Sequence, residues 1–249
     1  MNNVNCTRFS LPNEYERFKI ILSFFPLQSI NTMKNLEIYL TRHGETEFNV
    51  TQRLQGWADS PLTEDGKRVA QELGDKLRGH NFQAAFCSTL PRTLTTAQLI
   101  LAHQPHLPIM ALNDLREYHF GQFEGNYGND LYEKIIAHRG IADVETWLNF
   151  YRHADHNVLA ETVSQLDPRA ETEAQFVQRL QRGMAQVVAN SPDEGRVLVV
   201  SHGMAIVALL KSIDKSAILY KSPANASVSR LHFDGTKWRI LSVAQTDFT

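Results

Sequence analysis

Short apolar runs alternate with longer amphipathic segments along most of this chain, and this alternation predicts β-strands interleaved with α-helices. Buried strands are predicted at residues 36–41, 84–88, 108–112 and 196–200. Helices are predicted from residue 64, from residue 91 to about residue 102, and over residues 172–190 and 203–213. Residues 227–233 and 238–244 predict two further strands, joined by an Asp234-Gly235 turn. This order predicts an α/β fold, a three-layer sandwich with a mostly parallel sheet flanked by helices.

The domain organisation follows from where this pattern starts and where it is interrupted. The chain has 249 residues, of which 43% are hydrophobic, enough for one large α/β domain. We expect residues 1–34 to be an N-terminal extension outside the fold and residues 35–249 to form a single domain. Residues 115–125 predict a loop, and residues 126–170 predict a mainly helical insertion or lid.

Charge and cysteine content narrow the range of partners and locations. The formal net charge is -2 and the basic and acidic residues interleave, so we expect no nucleic-acid partner. The longest apolar run near the N-terminus, residues 20–27, is broken by Pro26 and is too short to span a bilayer. Cys6 and Cys87 lack the spacing of a disulfide framework or zinc site. These features predict a cytoplasmic protein without a membrane segment; the oligomeric state stays open.

Polar residues suited to phosphate chemistry follow the carboxyl ends of four predicted strands, where open α/β sheets build their sites. They are Arg42 and His43 after the first strand, Arg92 after the second, Glu117 after the third, and Ser201 and His202 after the fourth, with Gly203 opening a helix. Two arginines suit a dianionic phosphate because each guanidinium can donate a forked pair of hydrogen bonds. The start of a helix at Gly203 adds backbone N–H groups.

These residue types together predict a phosphoryl-transfer site that binds a small phosphorylated substrate. A neutral imidazole at His43 is a competent nucleophile towards phosphorus, and neighbouring positive charge favours its neutral form. His202, if protonated, would stabilise charge on the transferring group. A carboxylic acid such as Glu117 can protonate the leaving oxygen and then act as a base towards water. Because arginines supply the neutralising charge, no metal and no cofactor is expected.

The chain resembles the histidine phosphatase superfamily, also called phosphoglycerate mutase-like, over roughly residues 36–243. The resemblance rests on LTRHGETEFN at residues 40–49, LQGW at 54–57, PLT at 61–63, STLPRT at 88–93, LRE at 115–117 followed by Gly121 and Glu124-Gly125, and SHG at 201–203. It implies that His43 is the phosphorylated nucleophile and that Glu117 holds the position of the proton donor. It also implies that Arg42, Arg92 and His202 form the phosphate pocket, with Asn49 lining it and Gln55 on the substrate side. The predicted catalytic residues are therefore His43, Glu117 and His202, and the predicted phosphate-binding residues are Arg42, Arg92, Asn49 and Gln55, together with Gly203 at its helix start.

Alternatives remain open at this point. Glu45 and Glu124 compete with Glu117 for the role of acid, and Asn49 is equally suited to capping a turn. The leading hypothesis is a metal-independent phosphomonoester phosphatase, and the runner-up is a phosphoglycerate mutase. Two departures from the mutase pattern argue against the mutase. Mutases are expected to have an asparagine-glutamate-arginine run where this chain has arginine, glutamate and tyrosine at 116–118. The arginine pair that follows this run in mutases also has no counterpart here, unless Arg139 and Arg152 replace it. A non-catalytic phosphate-binding module is the third hypothesis.

Overall fold

The sheet is mixed, with four parallel strands and two antiparallel strands at one edge. A computed structural model describes residues 34–247, so the predicted extension lies outside the described residues except for Lys34. The strands are β1 (Asn35–Arg42), β2 (Ala84–Ser88), β3 (Ile109–Leu112), β4 (Glu194–Ser201), β5 (Val228–Phe233) and β6 (Trp238–Gln245), in the order β3-β2-β4-β1-β5-β6. β1 to β4 run parallel, β5 pairs antiparallel with β1, and β6 pairs antiparallel with β5. The predicted α/β fold with a mostly parallel sheet is confirmed.

Helices cover both faces of this sheet. Those within residues 34–247 are α1 (Glu47–Val50), α2 (Glu64–Lys76), α3 (Pro91–Ile100), α4 (Gly128–Arg139), α5 (Val144–His153), α6 (Val158–Leu166), α7 (Glu173–Ala189) and α8 (Gly203–Ile213). Local sequence sets their starts: Thr63 caps α2 by accepting from Gly66 N, and Thr172 with Gln175 forms a capping box for α7. Pro91 begins α3, where its missing N–H costs nothing. The short helix α1 was not predicted.

The strands divide the core into two layers because alternate side chains point to opposite faces. On β1, Leu36, Ile38 and Leu40 are fully buried in one cluster with side chains from α4 to α8, such as Phe176. Tyr39 points to the other face and packs in a second cluster with α2 and α3. Two helical layers thus enclose the sheet, which is the three-layer arrangement expected from the sequence.

The segment 126–170 contains three helices, and they contribute side chains to the hydrophobic core on one face of the sheet. Its three helices, α4, α5 and α6, bury Ile135, Trp147 and Val163 completely, in the same cluster as β1 and β4. Residues 115–125 form a loop with one 3₁₀ turn at Gly121–Phe123. Within residues 34–247, no helix is long and apolar enough to cross a membrane.

Candidate active site

Parallel pairing of β1 with β4 brings the two predicted histidines together. Arg42 lies opposite Ser201 in the register, and the next residue on each strand is a histidine. His43 N donates to Ser201 O at 3.0 Å. The rings of His43 and His202 lie edge to face with centroids 5.3 Å apart. Residues more than 150 positions apart in sequence therefore share one pocket at the carboxyl edge of the sheet.

The orientation of His43 leaves one ring nitrogen available for chemistry. Nδ1 lies 2.8 Å from Gly44 O, and because a carbonyl can only accept, Nδ1 carries the proton. In the neutral ring, Nε2 then holds the free lone pair. Burial, followed by the charges of Arg92 and Arg42, lowers the pKa of His43 well below its ordinary value of 6.5. The imidazole is thus neutral near neutral pH, as a nucleophile must be.

His202 is completely buried beside His43. Its Nε2 lies 2.7 Å from Ser88 Oγ, and its Nδ1 is buried without a hydrogen-bond partner among residues 34–247. Burial, then the charges of Arg92 and its neighbours, lowers the pKa of His202 well below 6.5. With these neighbours His202 is neutral rather than protonated, unlike the form considered from the sequence. Dianionic phosphate would oppose the arginine charges and favour the protonated form.

Arg42 presents the forked pair of donors that was expected of both arginines. Its Nη1 donates to Pro223 O at 2.7 Å, and its Nε is buried without a partner within the described residues. The Nε and Nη2 edge therefore remains free for an anion. Gly203 leaves room for Ser222, the residue before Pro223: a Cβ at position 203 would lie only 2.4 Å from Ser222 Oγ, whereas 3.4 Å from Arg42 Nε is an ordinary contact.

Arg92, in contrast, uses all four terminal N–H groups to hold the 55–59 loop. Nη1 donates to Ala58 O at 3.0 Å and to Asp59 Oδ1 at 2.6 Å, and Nη2 donates to Gln55 O at 3.3 Å and to Gly56 O at 2.7 Å. The residue is only 1% exposed. Its Nε is buried and unpartnered within residues 34–247, so a single donor is left for phosphate instead of a fork.

The carboxylate of Glu117 lies at the start of α8. There it accepts hydrogen bonds from backbone N–H groups of residues that follow His202. Oε2 accepts from Met204 N at 2.9 Å, and Oε1 accepts from Ala205 N at 3.0 Å and from Tyr118 N at 2.9 Å. Burial raises the pKa of Glu117 above 4.5 and outweighs these hydrogen bonds and the nearby arginines, which lower it. A carboxyl with a raised pKa suits a proton donor.

The two competing carboxylates have other partners. Glu45 Oε1 accepts from Thr63 Oγ1 at 3.0 Å, next to the start of α2. Glu124 binds backbone N–H groups of the 55–59 loop and of Phe120. Only Glu117 of the three binds the N–H groups just after His202, and this position favours it as the acid.

Asn49 and Gln55 shape the rim of the pocket through contacts within the protein. Asn49 Oδ1 accepts from Thr46 N and from Asn225 Nδ2, both at 3.2 Å, and so completes the capping box of α1. Its Nδ2 has no partner within the described residues and can face a ligand. Gln55 accepts from Thr46 Oγ1 at 2.7 Å and donates to Ser60 Oγ at 3.0 Å. Because both ends of the Gln55 amide are occupied, its clearest link to phosphate is the carbonyl that holds Arg92.

Several residues that complete the pocket were missed from the sequence. Ser88 contacts His202, Pro223 holds Arg42, and Asn225 Nδ2 donates to His43 O at 2.9 Å. The 222–226 loop carries no motif of its own, and its only signal is a cluster of small and turn-forming residues before β5.

The mixed sheet of this α/β protein carries two arginines and two histidines at its carboxyl edge, and their donors can bind an anion. The model of the histidine phosphatase superfamily (branch 1) matches residues 38–246, and the chain belongs to this family. It is 32% identical over 205 residues to Uncharacterized phosphatase PhoE of Bacillus subtilis (strain 168), covering 82% of this chain and 91% of that protein. It is 30% identical over 206 residues to Probable phosphoglycerate mutase GpmB of Proteus mirabilis (strain HI4320), covering 82% and 87%.

Solved structures agree with this family. The crystal structure of phosphoglycerate mutase from Bacillus anthracis str. Sterne matches with a TM-score of 0.79 and 31% identity, over 86% of this chain and 94% of that chain. Relatives named as a phosphatase and as mutases are thus similar to this chain in sequence, and a phosphoglycerate mutase is similar to it in fold.

Proposed function

We propose that this protein is a metal-independent phosphomonoester phosphatase that works through a phosphohistidine on His43. Three buried nitrogen atoms without partners within residues 34–247 carry the proposal: Arg42 Nε, Arg92 Nε and His202 Nδ1. Buried polar nitrogens are rarely left unpaired. Both arginine Nε atoms are donors, and His202 Nδ1 becomes a third donor when the ring is protonated, so the three suit a ligand rich in acceptor oxygens. A phosphoryl dianion supplies such oxygens and the opposing charge.

The reaction follows in two displacements. Arg42, Arg92, the Gly203 N–H and Asn49 Nδ2 hold the phosphoryl oxygens while His43 Nε2 attacks phosphorus. As the N–P bond forms, the P–O bond to the leaving group breaks, and Glu117 gives that oxygen its proton. Glu117, now a carboxylate, takes a proton from water as the water attacks the phosphohistidine. Inorganic phosphate leaves, and His43 and Glu117 return to their starting forms.

The mutase remains the second candidate because relatives carry that name. A phosphoglycerate substrate brings a second anionic group that needs its own cations. Arg139, one possible substitute, bonds to Glu161 at 2.5 Å and to Thr162, and lies over the Trp147 ring. Arg152 is exposed and has no salt bridge within the described residues. With one free arginine instead of a pair, we expect water rather than a returning substrate to accept the phosphoryl group.

A chromogenic aryl phosphate assayed with a chelator present tests the phosphatase directly. We expect release of the phenol and phosphate in the chelated wild type and loss of both in His43→Ala. Isomerisation of phosphoglycerate with little phosphate release would support the mutase, and phosphate binding without either reaction would support a binding module. Turnover that disappears with chelator and returns with added metal would refute metal independence.

A cytoplasmic location is part of the same proposal. Cys87 is a free thiol buried in β2, and burial raises its pKa to about 11, so it remains protonated and unreactive. Small phosphate esters of metabolism are the substrates that such a location would supply.

A further inference from the structure

The carboxylate of Glu124 lies where two loops of the site meet. Its Oε1 accepts from Trp57 N and from Phe120 N, both at 2.9 Å. Its Oε2 accepts from Gly56 N at 3.2 Å and from Ala58 N at 2.8 Å. Three successive N–H groups of the 55–59 loop thus converge on one anion, an arrangement that suits a carboxylate. Four donors fill the two oxygens and leave little capacity for a role in proton transfer.

The same loop is held from its other side by Arg92. The guanidinium of Arg92 binds the carbonyl oxygens of Gln55, Gly56 and Ala58, while Glu124 binds the N–H groups of residues 56–58. Gly56 shows how tight this packing is: a Cβ there would lie 2.1 Å from Tyr118 O and 2.4 Å from Glu124 Oε1. Any shift of the loop away from Glu124 therefore moves the acceptors that fix Arg92.

The loop also touches the backbone of the proton donor. Trp57 Nε1 donates to Glu117 O at 3.0 Å, and Phe120, bound by Glu124, lies three residues further along the same segment. Glu124 thus connects the support of Arg92 with the segment that carries Glu117. The 55–59 loop is joined to Arg92 by four hydrogen bonds and to the backbone of Glu117 by one, from Trp57. Loss of Glu124 should therefore disturb the position of Arg92 more than that of Glu117.

We propose that Glu124 is a positioning residue that fixes the 55–59 loop and thereby sets Arg92 for binding the phosphoryl group. This inference rests on the proposed function only in taking Arg92 as a phosphate ligand. Glu124 itself touches no reacting atom. Its loss should weaken phosphate binding more than it alters the proton transfer from Glu117.

Glu124→Gln tests this in the full chain, with inorganic phosphate as the ligand and titration calorimetry as the readout. The amide keeps one acceptor oxygen and turns an N–H₂ group towards backbone donors, so the loop must move. We expect phosphate to bind about tenfold or more weakly. Glu124→Asp retains the charge but withdraws it by one methylene, and we expect an intermediate loss; this variant decides the matter if the glutamine variant does not fold.

Asp167→Asn provides the matched control. Asp167 Oδ2 accepts from Gln122 N at 2.5 Å and so holds the 3₁₀ turn before Glu124 without touching the 55–59 loop. Phosphate affinity should stay within about twofold of wild type in this variant. Unchanged affinity in folded Glu124→Gln, or equal losses in Glu124→Gln and Asp167→Asn, would overturn the inference.

A double-mutant cycle separates positioning through Arg92 from a general structural effect. If Glu124 acts through Arg92, adding Glu124→Gln to Arg92→Lys should weaken phosphate binding by much less than the roughly tenfold loss expected when it is introduced into the wild type. Fully additive losses would contradict that route. Because phosphate binding is measured without turnover, a wild type that hydrolyses no ester would reject the phosphatase but leave the positioning of Arg92 testable.

Discussion

Replacing Glu117 by glutamine separates its role as proton donor from its structural role. The two side chains have nearly the same shape, but the amide has no proton to give to a leaving oxygen. Phosphoryl transfer to His43 then has to expel an anion. This is easy for an acidic phenol and difficult for an alcohol, so the loss of rate should depend on the leaving group.

The contacts of Glu117 determine how much stability and how much catalytic rate the glutamine variant should lose. A glutamine oxygen at the Oε1 position keeps the bonds from Tyr118 N and Ala205 N, but the amide N–H₂ meets Met204 N–H in place of the bond at 2.9 Å. We expect this to lower the free energy of unfolding by about 1–3 kcal/mol near pH 4, where the wild-type carboxyl is largely protonated. Loss of general acid catalysis should lower kcat/KM about 10²–10⁴-fold for alkyl phosphates.

The stability difference should also change with pH. Burial raises the pKa of Glu117 in the folded protein above its ordinary value of 4.5, so the native state binds the proton more tightly than the unfolded state. The wild type therefore loses stability as the pH rises through 4.5 towards the raised folded-state pKa. Glutamine does not titrate, and the gap between wild type and variant should narrow over this range.

A series of aryl and alkyl phosphates provides the assay. We expect Glu117→Gln to turn over the most acidic phenol esters at nearly the wild-type rate and to fail progressively as the leaving alcohol becomes more basic. Glu171→Gln is the matched control, since Glu171 binds His119 N and Arg179 beside this loop without touching α8. Its losses should be the same for every ester. An equal loss across the series in folded Glu117→Gln would refute the proton-donor role.

Three further predictions follow from the same geometry. The kcat/KM of the wild type should fall on the alkaline side as Glu117 ionises above pH 4.5. In an NMR titration of the wild type, the imidazole of His43 should gain its second proton only well below pH 6.5, because burial and the neighbouring arginines strongly lower its pKa; a midpoint near 6.5 would contradict a buried, arginine-flanked nucleophile. Gly203→Ala should cost about 1–3 kcal/mol of stability and weaken phosphate inhibition, because the new Cβ meets Ser222 at 2.4 Å, and Ser222→Gly in the same chain should restore both. Failure of this rescue would show that the clash with Ser222 does not cause these losses.

The sheet could be predicted from the sequence because its strands are short apolar runs with clear ends. The strand Ala84–Ser88 has its predicted bounds, and the others lie within about two residues of them. Parallel pairing then places His43 and His202 at one edge, since residues at the carboxyl ends of adjacent strands must meet there. This is why residues far apart in sequence could be assigned to one pocket.

The fine structure of the pocket could not be predicted in this way. Arg92 is held by backbone carbonyls of the 55–59 loop, and Arg42 by Pro223 O. Backbone acceptors are the same at every residue, so such contacts leave no pattern in the side chains. The protonation of His202 also depends on burial and on Arg92, which only three-dimensional packing reveals.

The most direct test of the account is the fate of the phosphoryl group during turnover. Rapid quenching of the wild type with an aryl phosphate, followed by peptide mass spectrometry under alkaline conditions, should find phosphate on the imidazole of His43, formed at least as fast as kcat. The signal should be absent from His43→Ala. Turnover without a phosphorylated enzyme, or with the phosphate on another residue, would contradict the proposed mechanism.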